Sequence, residues 1–449
     1  MFCDLIPSLS ASADNYIGWS YGYLSPDNLV AEPEAYVKNR VLAPERQAFK
    51  ALVLRGNDTL TVRGIQKVVE YAHEGLPIIF SGGIPFNLSG YNASGSAYVR
   101  SALASIADLN NVHQVPAEDL SASLLDLGLS PRTKTDADRI LYTYWREDAR
   151  QNKTYVFVYN DAWDSELGLG GANGSVTFQT TGVPYTYDAW TGDQTAIVGY
   201  SQTDASTTIP FSLAGNQSTI VAFHHDEKAP CPRHPHEMPP GIYGMVAKDD
   251  DIWMKSGHNA QPMHLPNGTS YTPPSASAPL NLTSWILTVE SWGPPDDIYA
   301  DQTVSVRTNS TCKLHSLQPW NAISGALRNA SGRGFYRTTF SWPPTDGRAD
   351  GAVLDLGSVI NTARAWVNGQ QLPPLDPTHA QSDISKFLKK GDNEVLIVVA
   401  TTLGNALRPY WDVLRSSSTT ANGPLPIMQD YGLVSDVLVK PYRGVTTRM

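Results

Sequence analysis

Four residues near the C-terminal end of the chain have the side-chain types that bind a sugar. They are Asn405, Arg408, Tyr410 and Trp411. Aromatic rings stack on the C–H faces of a pyranose, while guanidinium and amide groups hydrogen-bond to its hydroxyls. The four follow the last strongly apolar run, so we expect them in a loop of the kind that carries function in β-sandwiches. A structural role stays open, in which Asn405 satisfies the backbone of its own loop.

Trp366 is a second candidate for a ring that stacks on a sugar. Ala363, Ala365 and Val367 alternate with Arg364 and Trp366, which is the period of two of a strand with one buried face. This alternation places Trp366 on the outward face. The alternative is that Trp366 covers a neighbouring domain. The Asn368-Gly369 pair that follows tolerates positive φ and predicts a tight hairpin turn.

Several carboxylates lie at the ends of predicted β-hairpins, among them Glu147, Asp148 and Asp161. Glycoside hydrolysis needs two carboxyl groups about 5 to 9.5 Å apart. Nothing in the sequence brings two of these side chains to such a distance, so they are predicted to be solvated turn residues. No catalytic residue is assigned.

A proline-rich stretch at residues 224–241 concentrates histidine and cysteine, which are ligands for softer metals. It contains His224, His225, Cys231, His234 and His236. Their spacing matches no zinc template, so we predict an interdomain linker without a metal or a cofactor. With Cys3 and Cys312, the cysteine at 231 allows at most one internal disulfide, and a Cys231–Cys312 pair is left open.

The size and charge of the chain limit its organisation and its partners. The 449 residues are 41% hydrophobic and 17% charged, with a formal net charge of −10. A chain this long predicts about two to four domains. The negative charge argues against nucleic acid or an anionic membrane as a partner. No apolar run reaches the roughly 18 residues of a membrane-spanning helix.

The first 134 residues are predicted to form a small flavodoxin-like α/β domain. Residues 51–54 and 77–80 read as buried strands, and Thr61 caps a helix between them that ends near Gly75. A strand, a helix and a strand within about 30 residues make a βαβ unit with parallel strands.

Three further elements are predicted in this domain: helices at about 96–109 and 117–127, and a strand at 112–115. The Gly82-Gly83 pair is expected to be a structural turn, because no phosphate-binding motif accompanies it.

The remainder of the chain has a β character, and the predicted fold class is α+β multidomain. Short extended runs separated by Gly, Asn and Asp predict an antiparallel β-sandwich at 135–226. A Pro/His-rich linker with small β elements is predicted at 227–280, and a β jelly roll at 281–445.

Asparagine usage favours a secreted protein. Ten of the 23 asparagines lie in N-x-S/T sequons, at positions 57, 87, 92, 152, 173, 216, 267, 281, 309 and 329. The residues MFCDLIPSLSASADN at the N-terminus have neither a basic nor an apolar region of a signal peptide. The sequons predict an extracellular location, although no signal peptide is visible in this sequence.

The order of motifs in the last third resembles one known protein family. The segments WILTVESW (285–292), SGRGFYRTTF (331–340), LDLGSVINTARAWVNGQ (354–370), DISKFLKKGDNEVLIVVATTLGNAL (383–407) and YGLVSDVLV (431–439) occur in that order. They are similar to the galactose-binding-like jelly roll at the C-terminus of fungal α-L-rhamnosidase-like glycoside hydrolases. YGYLSPDNL (21–29), the βαβ unit and YDAWTG (187–192) resemble the preceding domains of the same proteins.

This resemblance implies a carbohydrate partner, such as a glycan that contains rhamnose or galactose. It also implies that the catalytic carboxylates of the family lie on a (β/α)-barrel N-terminal to the matched domains. No barrel of about 250 residues fits in this chain, so no catalytic residue is carried over.

Three hypotheses follow for the function. The favoured one is a glycoside-hydrolase-related protein that binds carbohydrate without catalysis or serves as an ancillary module. The second is an active glycoside hydrolase whose site has been rebuilt between the remaining domains. The third is a scaffold or partner-binding protein without a carbohydrate role.

Overall fold

The computed structural model describes residues 18–19, 22, 24–31, 33–89, 93–139, 141–161, 170–228, 238–248, 251–264, 270–295, 297, 305–417 and 424–448. The chain folds into two compact units. The first consists of Met1–Tyr185 with Ser201–Lys228, and the second of Thr186–Tyr200 with Ala229–Met449. Together they have the α+β multidomain architecture that the sequence predicts.

A three-stranded parallel sheet organises the first part of the first unit. Leu52 lies opposite Ile78, and Ile78 lies opposite Val112, which confirms the predicted βαβ unit. The central strand, Ile78–Ser81, is buried along its whole length because helices cover the sheet. The strands here are Val37–Lys38, Val41–Leu42, Leu52–Arg55, Thr59–Leu60, Ile78–Ser81, Asn87–Leu88 and Val112–Val115.

The helices of this part begin and end where local chemistry directs, with two shifts from prediction. Thr61 caps the helix Val62–His73 through its Oγ1, which accepts a hydrogen bond from the Gly64 N–H at 3.1 Å. Gly75, at φ 87°, follows the helix end as expected. The helices predicted at about 96–109 and 117–127 span Ala93–Ala104 and Leu120–Asp126, and a short helix Pro26–Ala31 precedes them.

Two antiparallel sheets follow in the first unit. Their shared core is aromatic: the Phe178 ring lies 5.3 Å from the Phe223 ring and 6.1 Å from the Trp145 ring, centroid to centroid. The first strand starts at Thr133, two residues before the predicted boundary. One sheet runs Leu141–Asp148, Lys153–Asn160, Ser218–His224, Val183–Tyr187, and the other Thr133–Ala137, Ala172–Phe178, Thr207–Leu213, Ser201–Gln202.

The second unit is built on a β-sandwich whose strands alternate between buried and exposed side chains. In the strand Gly332–Trp342, Tyr336, Thr338 and Phe340 are buried while Arg337 and Thr339 are exposed. Asn368 and Gly369 form the predicted hairpin turn at φ 52° and 79°. One sheet has the order Val306–Leu314, Trp285–Gly293, Gly332–Trp342, Gly391–Ala400, Thr362–Val367, Gln370–Gln371.

The facing sheet extends beyond the predicted jelly-roll boundary. Asp251–Ser256 pairs with both Ile242–Lys248 and the long last strand Leu438–Arg448. The predicted linker at 227–280 therefore contributes two full strands to this sheet, because the alternation of Ile252 and Met254 buries one face of them. The order is Ile242–Lys248, Asp251–Ser256, Leu438–Arg448, Gly351–Asp355, Gln381–Asp383, with Leu280–Asn281 also beside Leu438–Arg448.

Short elements complete the second unit. The helices are Trp320–Ile323, Gly404–Leu407 and Trp411–Ser417, and the 3-10 turns are Gly325–Leu327, Ser385–Phe387 and Arg408–Tyr410. The short strands are Gln194–Ala196, Met263–His264, Ser270–Tyr271, Val359–Ile360 and Gly432–Leu433.

A buried tyrosine joins two segments in the core of this sandwich through hydrogen bonds. The Tyr336 hydroxyl accepts a hydrogen bond from Trp320 Nε1 at 2.7 Å and another from the Leu433 N–H at 3.2 Å. Gly432, at φ 114°, lies directly over these groups, and a Cβ there would come within 2.5 Å of the hydroxyl. Burial raises the pKa of Tyr336 to about 12, so the hydroxyl stays protonated at neutral pH.

Candidate functional site

A pocket of about 410 Å³ opens within the first unit. It lies between a loop at residues 45–51 and the strand Leu141–Asp148, with Leu124 and Leu129 also in its wall. This volume is within the range of about 300 to 1,000 Å³ that is typical of small-molecule sites. Four aromatic side chains contribute to its lining, those of Trp19, Phe49, Tyr144 and Trp145.

The strand wall of the pocket follows from alternation at a sheet edge. Leu141–Asp148 is the edge strand of its sheet, and among the residues that the structure describes no further strand pairs with its outer side. Trp145 points into the sandwich core and is 5% exposed, and its Nε1 donates to Thr133 Oγ1 at 2.9 Å. Tyr144 and Arg146 are on the opposite, exposed face of the strand.

Two arginines of this wall lie against aromatic rings. Arg132 Cζ is 4.3 Å from the centroid of Trp145, and its guanidinium also forms an ion pair with Glu147. Arg146 Cζ is 4.4 Å from the centroid of Tyr144. Cation–π contacts of this kind fix the position of a long side chain. The wall therefore presents rings and guanidinium groups in defined positions.

The loop wall is closed by its own backbone. Leu42 and Phe49 exchange two backbone hydrogen bonds of 2.9 Å, and Ala43 and Ala48 take positive φ between them. The Phe49 ring lies over Gly22, where a Cβ would approach within 3.1 Å of it. A glycine at position 22 therefore leaves room for this ring.

Charged side chains of the loop are also held by partners. Arg46 binds Glu34 through two hydrogen bonds of 2.7 Å, and the bond from Arg46 lowers the pKa of Glu34. Glu45 accepts a hydrogen bond of 3.1 Å from the Tyr36 hydroxyl, which raises the pKa of that tyrosine.

The lining combines the groups that recognise a saccharide. Tyr144 and Phe49 have ring faces of the kind on which a sugar can stack, Arg146 and Lys50 carry hydrogen-bond donors, and Glu147 carries acceptors. The sequence predicted a β-sandwich at 135–226, which contains this strand. Its proximity to the loop at 45–51 was not visible in the sequence, because about a hundred residues separate the two walls along the chain.

The predicted sugar-binding residues lie elsewhere, in the second unit. Asn405 is 2% exposed, and its side chain donates to the Gln429 carbonyl at 2.8 Å and accepts from the Gln429 N–H at 2.9 Å. Both ends of its amide thus hold backbone, which is the structural role that the sequence left open. A role of the predicted residues in sugar binding stays a prediction.

The other predicted residues are half-buried. Arg408 and Tyr410 belong to a 3-10 turn, and Trp411 begins the next helix. In the part of the chain that the structure describes, Trp411 Nε1 is buried without a hydrogen-bond partner. Trp366 lies on the face of Thr362–Val367 that points away from the core, as the alternation predicts.

The predicted turn carboxylates divide into two kinds. Asp148 accepts hydrogen bonds from the backbone N–H groups of Arg150 and Gln151 at 3.0 and 3.2 Å, as a turn residue does. Glu147 lines the pocket and pairs with Arg132, so it was missed as a site residue. Asp161 follows the end of Lys153–Asn160.

Part of the histidine and cysteine cluster has been described. His224 is buried, and its ring stacks on the Tyr185 ring with 4.2 Å between the centroids. Its Nδ1 lies 2.7 Å from Glu227 Oε1. Cys231, His234 and His236 lie outside the described residues, so the Cys231–Cys312 pair stays open. Across the described ranges, no group of three or more His, Cys, Asp or Glu side chains is arranged to hold a metal ion.

Comparison with solved structures gives a similar fold over almost the whole chain. A rhamnosidase from Novosphingobium sp. PP1Y matches 96% of this chain at 17% identity, with a TM-score of 0.55. The chain spans 37% of the length of that protein. The fold is therefore related to part of a glycoside hydrolase, as the motif order predicts, while the fungal origin stays a prediction.

Weaker matches are to β-glucuronidases. One from an uncultured Clostridium sp. matches 38% of this chain and 30% of its own at 17% identity, with a TM-score of 0.23. One from Bifidobacterium dentium matches 38% of this chain and 31% of its own at 17% identity, with a TM-score of 0.25. Scores this low carry no argument about fold or function.

Other comparisons add no assignment. No protein-family model matches the chain, and no curated protein matches it. Within the described residues, none of the helices is long and apolar enough to cross a membrane.

Proposed function

We propose that this chain is a carbohydrate-binding protein of glycoside-hydrolase-related fold, and that the pocket of the first unit holds a short saccharide. The observation that carries the proposal is the pocket lining, in which rings and guanidinium groups are fixed side by side along the edge strand Leu141–Asp148. A fold similar to part of a rhamnosidase supports the same class of ligand.

The carboxylates of the pocket favour binding over hydrolysis. Glu147 is paired with Arg132, and Glu45 accepts a hydrogen bond from Tyr36. Both carboxylates are thus already engaged by protein groups, whereas glycoside hydrolysis needs two carboxyl groups that are free to act on the glycosidic bond and on water. We therefore infer a non-catalytic role. The presence of two glutamates in one pocket keeps a hydrolase as the second candidate.

The proposal is tested by titrating the purified chain with oligosaccharides that contain rhamnose, galactose or glucuronate, followed by calorimetry. Tyr144→Ala should abolish binding, because it removes a stacking face and the ring against which Arg146 rests. Phe157→Ala is the matched control. Phe157 lies directly opposite Tyr144 on the next strand and is similarly exposed, at 41% against 37%, but it does not line the pocket.

Three outcomes separate the hypotheses. Binding that Tyr144→Ala removes and Phe157→Ala retains supports the proposal. Turnover of aryl α-L-rhamnoside, β-galactoside or β-glucuronide that is lost in Glu147→Gln would replace it with the hydrolase. No binding to any saccharide would refute it in favour of a scaffold or partner-binding protein.

We also propose an extracellular location. The support is the excess of sequons, several of which, including Asn57, Asn152 and Asn309, have exposed side chains. N-glycosylation requires such exposure in a secreted protein.

A further inference from the structure

The pocket of the first unit carries more positive than negative charge, although the chain as a whole has a net charge of −10. Its lining includes four cationic side chains and two carboxylates. The cations are Arg46, Lys50, Arg132 and Arg146, and the carboxylates are Glu45 and Glu147. An acidic protein that gathers cations at one pocket creates a local field that favours an anion.

Two of the four cations are already neutralised. Arg46 binds Glu34 with both arms of its guanidinium, and Arg132 pairs with Glu147. The other two, Lys50 and Arg146, have no carboxylate within 4.0 Å among the residues that the structure describes. These two positive charges remain for a ligand.

Arg146 is positioned for this role. Its guanidinium lies over the face of Tyr144 at 4.4 Å, and both side chains line the pocket. One of its N–H groups, on Nη1, donates to the Trp145 carbonyl at 3.4 Å, and a guanidinium held against a ring by its face leaves its other N–H edges for a ligand. These edges match two oxygens of a carboxylate or a sulfate, while the ammonium of Lys50 acts as a point charge.

We propose that the pocket selects an anionic saccharide, one that carries a carboxylate or a sulfate group, and that Arg146 and Lys50 bind this group. The inference rests on the proposed carbohydrate-binding function and names its ligand class. The sugar ring would stack on Tyr144 or Phe49, and its acidic group would pair with the positive charge that Glu34 and Glu147 leave uncompensated.

The test is calorimetric titration of the full chain with four probes: trigalacturonic acid, its methyl ester, neutral galactotriose and a galactose 6-sulfate oligomer. The acid should bind at least about tenfold more tightly than the ester or the neutral trisaccharide. Its affinity should fall with added salt, because exposed charge pairs are screened. Comparison of the acid with the sulfated probe decides between carboxylate and sulfate as the preferred group.

Charge-removing variants test the residues. Arg146→Gln and Lys50→Gln should each lower the affinity for the anionic probe about fivefold to tenfold. The affinity for the neutral probe should fall by a smaller factor, because the neutral sugar loses a hydrogen-bond donor but no charge pair. Arg150→Gln is the control, since it removes the same charge from the adjacent turn outside the pocket lining. Its affinities should match those of the parent chain.

The results distinguish failure of this inference from failure of the proposed function. Equal affinity for anionic and neutral probes, with both lost in Tyr144→Ala, would refute anion selection and leave carbohydrate binding intact. An equal loss in Arg146→Gln and Arg150→Gln would also refute it, since general charge would then explain the effect. Absence of binding to every probe would refute both.

Discussion

Replacing Tyr336 by phenylalanine should destabilise the second unit strongly, although it removes only one oxygen atom. Tyr336 is fully buried, and its hydroxyl accepts hydrogen bonds from Trp320 Nε1 at 2.7 Å and from the Leu433 N–H at 3.2 Å. Tyr336→Phe leaves both donors buried without a partner. Each unsatisfied buried donor costs about 1 to 3 kcal/mol, so we expect the free energy of unfolding to fall by about 2 to 6 kcal/mol in total.

Scanning calorimetry of the full chain measures this loss. For a unit of about 150 to 250 residues, each 1 kcal/mol shifts the unfolding midpoint by about 2 to 4 °C, so a loss of about 3 kcal/mol corresponds to about 6 to 12 °C. The control is Tyr243→Phe in the same unit, because its half-buried hydroxyl has no hydrogen-bond partner within the described ranges. Its midpoint should move by less than about 2 °C.

The comparison has a clear refuting outcome. If Tyr336→Phe unfolds at the same temperature as Tyr243→Phe, the hydrogen bonds of the Tyr336 hydroxyl do not stabilise the core. The inference that a buried hydroxyl with two hydrogen bonds stabilises this sandwich would then be wrong.

Three further predictions concern other parts of the chain. Asn405→Ala should lower the free energy of unfolding by about 1 to 3 kcal/mol. It should also speed hydrogen exchange around Gln429, because the Asn405 side-chain amide binds the backbone there; unchanged exchange would contradict this. Asp383 is partly buried, which raises its pKa, but hydrogen bonds from Lys255 and its neighbours outweigh this and lower it from 3.8. The carboxylate therefore stabilises the fold above about pH 4 and less as pH falls through its lowered pKa, so the stability gap between the parent chain and Asp383→Asn should narrow on acidification; a constant gap in urea titrations would contradict this. Secretion from a eukaryotic host should attach a glycan at the exposed Asn152, so Asn152→Gln should lose the mass of that glycan. A secreted parent chain that carries no glycan would count against an extracellular origin.

Local features of this fold could be predicted because each depends on residues close together in the chain. Thr61 caps its helix because a side-chain oxygen three residues before Gly64 reaches that backbone N–H. Asn368 and Gly369 turn the chain because both tolerate positive φ. The period of two around Trp366 predicted that this side chain would lie on the outward face of its strand, since successive residues of a strand face opposite sides.

The candidate site could not be predicted in the same way. The sequence showed aromatic and charged residues from Tyr144 to Glu147 but not the loop around Phe49 that faces them. It singled out Asn405 by residue type, yet the fold uses that amide to hold the backbone of Gln429. Residue type states what a side chain can bind, and only its neighbours in space decide what it does bind.

The sequence by itself determined the βαβ unit, the Thr61 cap, the Asn368-Gly369 turn and the likeness to glycoside hydrolase domains. It did not determine the two strands within residues 227–280 or the bounds of the helices. The tertiary structure alone decided that two walls about a hundred residues apart form one pocket. It also decided that Arg46 and Arg132 form ion pairs with protein carboxylates, whereas Arg146 and Lys50 form none among the described residues. The physical reason is that hydrogen bonds and ion pairs act over a few ångströms in space, whatever the separation of their partners along the chain.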